Sequence, residues 1–383
     1  MGEPSEDPEL SLDALREKIN ETDRQLVRMI MERALLVRRI GESKRQAGTA
    51  IYRPDREKQV YQNIARFARE AYGQQMPMPL SVLEHIYREI MSGSIAIEGG
   101  PGVAYLGPPA SFSHQALRAR FGASLRARPE DTIQAVFRAV ESGRDVSFGV
   151  VPVDNTTEGA VGPTLDMFLT SELRVYAEHY LRVELNLLYH KEAPLSEIKR
   201  LYTLRIAREQ CRDWMSRSFA RDQLEVVEMS STAAAARAAA ERKDGAAVAS
   251  ELAAETYGLT ILERNIEDHA HNATRFFVIG TEQTPPTGDD KTSILCSVHD
   301  RPGSLYHMLE PFGQSGVNLT RIESRPSRLS YGDYNFFIDF SGHHEDEAIR
   351  RLLQKVEQHT SRLKVLGSYP RMDKPWESRS VSP

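Results

Sequence analysis

Between Leu10 and Ile40 the chain contains neither proline nor glycine, and Gly41 alone interrupts the helical pattern before Gln46. About 35 helical residues at 1.5 Å each make a rod of roughly 50 Å, longer than a compact small domain requires. Such a segment predicts a partner helix along its length. Positions 12, 15, 19, 22, 26, 29, 33, 36 and 40 read Leu, Leu, Ile, Thr, Leu, Met, Arg, Leu, Ile, the apolar stripe of a core-facing or coiled-coil helix. Arg33 stands inside that stripe. A guanidinium is costly to bury unpaired, so it needs an anion there or a route to water. Lys44 lies about three turns further on, roughly 16 Å away on the same side. Two long side chains can converge on one small dianion from that separation. Arg16 is roughly 25 Å from Arg33 by the same count; if it also binds, it serves another chain's ligand in an interlocked dimer. The spacing equally fits a plainer role, with Arg16, Arg33 and Lys44 solvated or paired to Glu17, Glu32 and Glu42.

A chain of 383 residues suits two or three domains. Its net charge of −5 gives no broad basic field for nucleic acid. Cys211 and Cys296 show neither metal-ligand spacing nor a disulfide framework, which fits a reducing cytosol. No charged-then-apolar leader and no apolar run of about 18 residues is present. The expectation is a cytoplasmic, multidomain protein without a membrane segment.

Three changes of texture divide the chain. Residues 1–9 are acidic and proline-containing, a loose tail. Helical periodicity covers 10–46, resumes after Arg53-Pro54-Asp55 to about Tyr72, and returns from Ser81 to Ile97, where Ser81 and Glu84 have capping-box spacing. Gly99-Gly100-Pro101-Gly102 ends that regime, leaving an all-helical unit over 10–98. From 102 to 281 short strands (103–107, 146–151, 183–189, 224–228, 246–249, 274–279) alternate with helices, including the alanine-rich 232–242, which predicts a two-lobed α/β unit. Residues 281–290 read as a polar linker. The order over 291–370 is β-α-β-β-α-β, the ferredoxin-like arrangement, with a short last strand. The tail beyond it reads as disordered.

Polar residues gather at strand ends. Thr274 and Arg275 open an apolar strand, a hydroxyl donor beside a fixed cation. There Arg275 could hold a carboxylate while Thr274 donates to a leaving hydroxyl, or both could be an ordinary strand start. The segment 150–162 follows a buried strand, and 107–113 opens a helix whose N-terminus could receive a carboxylate. Together these ends predict one cleft. The last unit carries Asp300–Tyr306 at a strand-to-helix turn and Asn318–Pro326 in the next strand. His269, His271, His343 and His344 are read as loop or surface residues rather than metal ligands. No phosphate-binding glycine motif occurs.

At these residues the sequence resembles the bifunctional chorismate mutase/prephenate dehydratase family, from about Leu12 to Tyr369 and in the same domain order. Residues 12–19, 51–57 and 86–90 look like its all-helical, intertwined mutase. Residues 149–159, 249–254, 257–259 and Thr274-Arg275-Phe276 look like its dehydratase, and the two segments of the last unit look like its phenylalanine-binding ACT domain. The resemblance implies conversion of chorismate to prephenate and then to phenylpyruvate, in a homodimer or higher homo-oligomer, inhibited by L-phenylalanine and needing no cofactor. It implies that Arg33, Lys44, Arg56 and the partner chain's Arg16 grip chorismate, with Glu57, Ser94 and Glu98 completing the pocket. It implies that Thr274, Arg275 and Phe276 serve the dehydratase, with Asp154, Asn155, Thr156, Thr203 and Gln210 placing prephenate. Effector contacts fall to Gly303, Ser304, Leu305, Asn318, Leu319, Glu323, Ser324, Arg325 and Pro326.

The chain departs from the family pattern in several places. Glu98 stands where some mutases carry Gln, and must be protonated, as burial could favour, before it can donate to an ether oxygen. Asp154 replaces the usual Glu, Pro109-Ala-Ser-Phe replaces a Gly-Thr-Phe form, and 203–210 lacks the familiar Ser-His-Pro-Gln run, leaving prephenate or arogenate preference open. Two other readings compete: a regulatory amino-acid-binding protein with an inactive dehydratase domain, and a relative that decarboxylates prephenate without aromatising it.

Overall fold

The first helix, α1 (Leu12–Ala47), forms as its periodicity predicts, but its apolar stripe is exposed: Leu12 is 63%, Ile19 60% and Leu36 59% accessible. Only Val37 and Gly41 are buried on it. Among the described residues no partner helix covers most of the rod, so Arg33 is half-buried rather than sealed in a core. The computed structural model describes residues 11–47, 51–73, 75–100, 102–192, 198–218, 225–269, 271–326 and 333–372. The acidic stretch 1–9 and the tail from 373 onward lie outside these. None of the helices among the described residues is long and apolar enough to cross a membrane.

Helices α2 (Pro54–Tyr72) and α3 (Leu80–Ile97) complete the first unit. Helix α3 starts at its N-cap Pro79, whose extended backbone launches it two residues earlier than the Ser81–Glu84 capping pair requires, and no side chain caps it. Gly41 allows α1 and the end of α3 to touch: a Cβ there would lie 2.9 Å from Glu98 Cα.

The next unit runs β1 (Gly102–Leu106), α4 (Phe112–Phe121), β2 (Ala127–Glu130), α5 (Ile133–Ser142), β3 (Val146–Asn155), β4 (Gly159–Ala160), α6 (Gly162–Phe168) and β5 (Arg174–Arg182). It continues with β6 (Asn186–Tyr189), β7 (Arg200–Thr203), α7 (Arg205–Gln210), α8 (Arg212–Ser218), β8 (Glu225–Glu228), α9 (Thr232–Arg242), β9 (Gly245–Ala249), α10 (Glu251–Tyr257), β10 (Thr260–Glu263) and β11 (Ala273–Gly280). One sheet has the order β2-β1-β3-β11-β5, with β4 against β3; the other has β10-β6-β9-β7-β8. The second lobe is thus inserted between β5 and β11, and the chain crosses twice. The expected strand 183–189 is in fact only β6, while β5 before it belongs to the other sheet. Its centre, Glu178-His179-Tyr180, breaks any apolar run, which hides it from a hydropathy reading. The alanines of α9 are small enough for close packing on the second sheet, where they fill a core with Leu188, Tyr202 and Leu252.

The third unit comprises β12 (Asp290–Val298), α11 (Ser304–Gln314), β13 (Leu319–Pro326), β14 (Tyr334–Ser341), α12 (Glu347–Glu357) and β15 (Arg362–Pro370), in the sheet order β13-β14-β12-β15. The last strand spans nine residues rather than a short piece, because its second half packs on the first lobe. Leu295, Phe337, Leu366 and Tyr369 share one core with Val175, Phe277 and Ile279. At the closest approach a Cβ on Gly367 would stand 2.1 Å from the Val175 carbonyl oxygen, so glycine is required there. The expected linker is also packed: Thr284 is buried, its hydroxyl donates to the Tyr176 carbonyl at 3.0 Å, and its carbonyl lies 2.8 Å from His343 Nε2. His343 is therefore a loop residue, as one of the two expected settings has it, but a buried one.

Candidate active sites and effector segment

A cavity of about 500 Å³ lies between α1, α2 and α3. It gathers Arg33, Lys44, Arg56, Glu57, Ser94 and Glu98, six positions the sequence had singled out. Its charged lining is Arg33, Lys44, Arg53, Arg56, Arg88 and Arg120 against Asp55, Glu57 and Glu98, three more cations than anions, which favours an anionic ligand. The Arg33 guanidinium donates to Ser94 Oγ, which in turn donates to the Ile90 carbonyl at 2.7 Å. The Lys44 ammonium donates to Glu98 Oε2 and to the Ile51 carbonyl, both at 2.8 Å. Glu98 is thus buried as expected, and it is an acceptor facing a cation. Arg16 is absent from this wall; it is exposed and pairs with Asp13 at 3.3 Å. Arg88, inside the mutase-like segment 86–90, has no role assigned to it from the sequence, and Arg120, which the sequence does not single out, belongs to α4 of the following unit.

The second constellation is built by the pleat of β3 and β11. Their register pairs Thr274 with Asn155 and Arg275 with Asp154, and successive residues of a strand face opposite sides of a sheet. On one face Asn155 Nδ2 donates to Thr274 Oγ1 at 2.9 Å and to Asn272 Oδ1 at 2.9 Å. Asn155 Oδ1 accepts from the Thr157 and Glu158 amides, which fixes its orientation. A threonine oxygen that already accepts a hydrogen bond keeps its own proton for another partner. Thr156 Oγ1 accepts from the Ala273 amide at 3.0 Å. Gln210 reaches across from α7 to Thr157 Oγ1 at 3.2 Å. Tyr257 of α10 donates to the Pro109 carbonyl at 3.2 Å. The loops after β1 and β3 therefore meet the second lobe as one group. Thr203 does not join it: it is fully buried and donates to its neighbour's carbonyl, Leu204 O.

On the opposite face Arg275 and Asp154 turn to the third unit, which corrects their expected roles. Arg275 is 3% exposed and donates to Glu178, Asp339 and Tyr369 Oη; Lys291 closes the cluster on Glu178 at 2.8 Å. Asp154 pairs with Arg321 at 3.1 Å and with Arg275 at 3.6 Å. A saturated, sealed guanidinium has no position to offer a substrate carboxylate. Phe276 is likewise core, packed with Val150, Tyr176 and Leu181. Burial raises the Asp154 carboxyl above its ordinary value, against the pull of Arg275 and Arg321. Burial would raise Asp339 too, but Arg275, Arg321 and the Ser293 hydroxyl bring it below its ordinary value. That stabilisation is complete above the ordinary carboxyl range and is lost as pH falls through the lowered value. Arg275→Met leaves Glu178 to Lys291 and takes from Asp339 the guanidinium bonded to it, and is expected to cost about 3–5 kcal/mol, read as a lower urea midpoint; an unchanged midpoint would refute this tie between the units.

The expected effector residues are divided. Gly303, at φ 83°, is the N-cap of α11, with Ser304 and Leu305 in its first turn. The register Val298–Tyr334–Pro326 sets that turn near the Glu323–Pro326 end of β13. Asn318 and Leu319 lie at the other end, roughly 20 Å away. Along β13, Arg321, Glu323 and Arg325 are half-buried while Thr320, Ile322 and Ser324 are exposed. Arg325 pairs with Asp166 of α6 at 3.2 Å, so it faces the first lobe.

The chain is similar to known proteins over nearly all of its length. The family description "Chorismate mutase type II" matches residues 15–99, "Prephenate dehydratase" matches 103–284 and "ACT domain" matches 292–358. A bifunctional chorismate mutase/prephenate dehydratase of Aquifex aeolicus is 45% identical over 360 residues, 94% of this chain and 98% of that protein. Among solved structures, a prephenate dehydratase in complex with L-Phe from Arthrobacter aurescens superposes with a TM-score of 0.65 at 33% identity, covering 71% of this chain and 91% of that one. A structure described as a novel type of quorum-quenching acylase superposes at 0.64 with 32% identity, covering 71% and 98%.

Proposed function

The chain belongs to the bifunctional chorismate mutase/prephenate dehydratase family, and from that premise we propose a residue-level account of its two sites. It is an enzyme of phenylalanine biosynthesis: it rearranges chorismate to prephenate, converts prephenate to phenylpyruvate, and is regulated by L-phenylalanine through its ACT domain. Its functional units are placed at 10–98, 102–281 and 291–370. The reading as a regulatory protein with a dead middle domain is not favoured, since the Thr274–Asn155 pair is intact.

In the mutase site, Arg33 and Arg56 are assigned to the carboxylates of chorismate and Lys44 to the ether oxygen on which negative charge grows. The rearrangement is unimolecular, so catalysis consists of holding a compact conformer and stabilising that charge. The exposed stripe of α1 supports a second copy lying along it, which would bring the partner subunit's Arg16 to the pocket. In the dehydratase site, Thr274 gives its proton to the departing ring hydroxyl, which leaves as water while the ring carboxylate departs as carbon dioxide and its electron pair aromatises the ring. Asn155 holds Thr274 for that transfer. Localisation in the cytoplasm is proposed from the two free, buried cysteines.

The observation that carries this reading is the presence, in one chain, of a cation-rich helical pocket and a threonine held by an asparagine between two α/β lobes. The test supplies chorismate, then prephenate, and identifies products with and without phenylalanine. Phenylpyruvate from both, reduced by phenylalanine, is expected. Prephenate accumulating from chorismate without further product would overturn the dehydratase assignment.

A further inference from the structure

We propose that Arg120, carried by helix α4 of the dehydratase unit, is a positioning residue of the mutase site that acts by fixing Glu57. The inference rests on the mutase reading of the helical pocket given above. Arg120 lines that pocket although it lies beyond the mutase unit in sequence. Its Nη2 is 2.8 Å from Glu57 Oε2, and the two side chains are only 9% and 11% exposed. The Tyr52 hydroxyl donates to the same oxygen at 2.9 Å. Glu57 is thus held by two donors, one from each unit.

The surrounding packing shows why this wall is rigid. Tyr52 is 3% exposed and sits in the dehydratase core, its ring 4.8 Å from Phe121 and 5.4 Å from Phe148. The buried Tyr176 hydroxyl donates to the Tyr52 carbonyl at 2.8 Å. The segment from Ile51 to Glu57 lines the pocket with all its residues but Pro54, Arg56 and Glu57 among them, and its first carbonyl accepts from Lys44. One side of the mutase pocket is therefore moored in another unit's core. Beyond Arg120 lies a second cavity of about 620 Å³ at the meeting of the three units, which shares Glu57, Arg88 and Arg120 with the first. His179 lines it and is held neutral there, its pKa lowered to about 3 by burial and then by Arg120 and Arg88. Arg120 Nε is buried without a hydrogen-bond partner among the described residues. Such a donor is costly to seal unless its guanidinium has a task, and the ion pair with Glu57 supplies one. A displacement of about 1 Å in a group that orients a substrate can cost on the order of a hundredfold in rate.

A purely structural ion pair between units predicts different kinetics. Both activities are measured on one preparation of the full-length protein, so that their ratio is independent of the folded fraction. Arg120→Gln is expected to lower the mutase-to-dehydratase ratio about ten- to a hundredfold, mostly in kcat for chorismate. Arg120→Lys, which keeps a cation for Glu57, should recover part of the loss. Combining Arg120→Gln with Glu57→Gln should cost no more than Glu57→Gln alone, because one acts through the other. A ratio within about twofold of wild type, multiplicative losses in the double variant, or a parallel fall of both activities with the unfolding temperature would each overturn the proposal. Arg33→Ala, measured alongside, isolates the premise: if it keeps mutase activity, the pocket itself is wrongly assigned.

Discussion

Thr274→Ala is expected to lower prephenate turnover by about 10²–10⁴-fold while chorismate rearrangement in the same protein continues at the wild-type rate. The magnitude is that of removing a positioned general acid. The separation of activities follows from geometry: Thr274 faces the inter-lobe junction with Asn155, whereas the mutase lining comes from α1, α2, α3 and α4. Thr274→Ser keeps the hydroxyl and should retain most of the activity. A threonine is a poor acid in water, and its use here depends on Asn155 binding its oxygen so that its proton is directed outward. Measuring kcat for prephenate in both variants checks the assignment. An alanine variant with full turnover would remove Thr274 from the mechanism.

How far such roles can be read from sequence differs between the two residues of the Thr274-Arg275 pair. A polar pair at a strand's start was legible, and so was the site near it. The side each residue faces was not, because the pleat sends neighbours apart and only the sheet's surroundings say which face meets ligand. The resemblance implies substrate groups in Arg275 and Asp154; the fold pins them to Glu178, Asp339 and Arg321. Glu178 carries no comparable signal, because the polar Glu178-His179-Tyr180 centre hides the strand itself. Its partners lie 97 residues away at Arg275 and 113 away at Lys291. Periodicity reports local structure well, as α1 and the ferredoxin-like unit demonstrate. It is silent on ion pairs closed by tertiary packing. Arg120 was hidden for the same reason: nothing in a helix of the second unit says that it borders a pocket of the first.

Arg33→Ala should lower chorismate rearrangement by roughly a hundredfold or more, the equivalent of losing about 3 kcal/mol from a desolvated charge contact, while prephenate turnover persists. Arg16→Ala should do the same from a residue that is exposed and pairs with Asp13 in its own chain. The two variants together test whether the site is shared between chains. If each pocket joins one chain's Arg33 to the other's Arg16, a mixed dimer of the two variants contains one doubly damaged site and one intact site. Random exchange at equal concentrations makes about half the dimers mixed, so mixing two inactive preparations should restore roughly a quarter of wild-type mutase activity. Sites contained within single chains would give no recovery. The exposed stripe of α1 makes the first outcome the physical expectation, since a roughly 50 Å helix with Leu12, Ile19 and Leu36 accessible is stable in water only when another apolar surface covers it. The cation inside the stripe then lies at a seam between two helices, where the ligand's carboxylates supply the charge that the seam lacks.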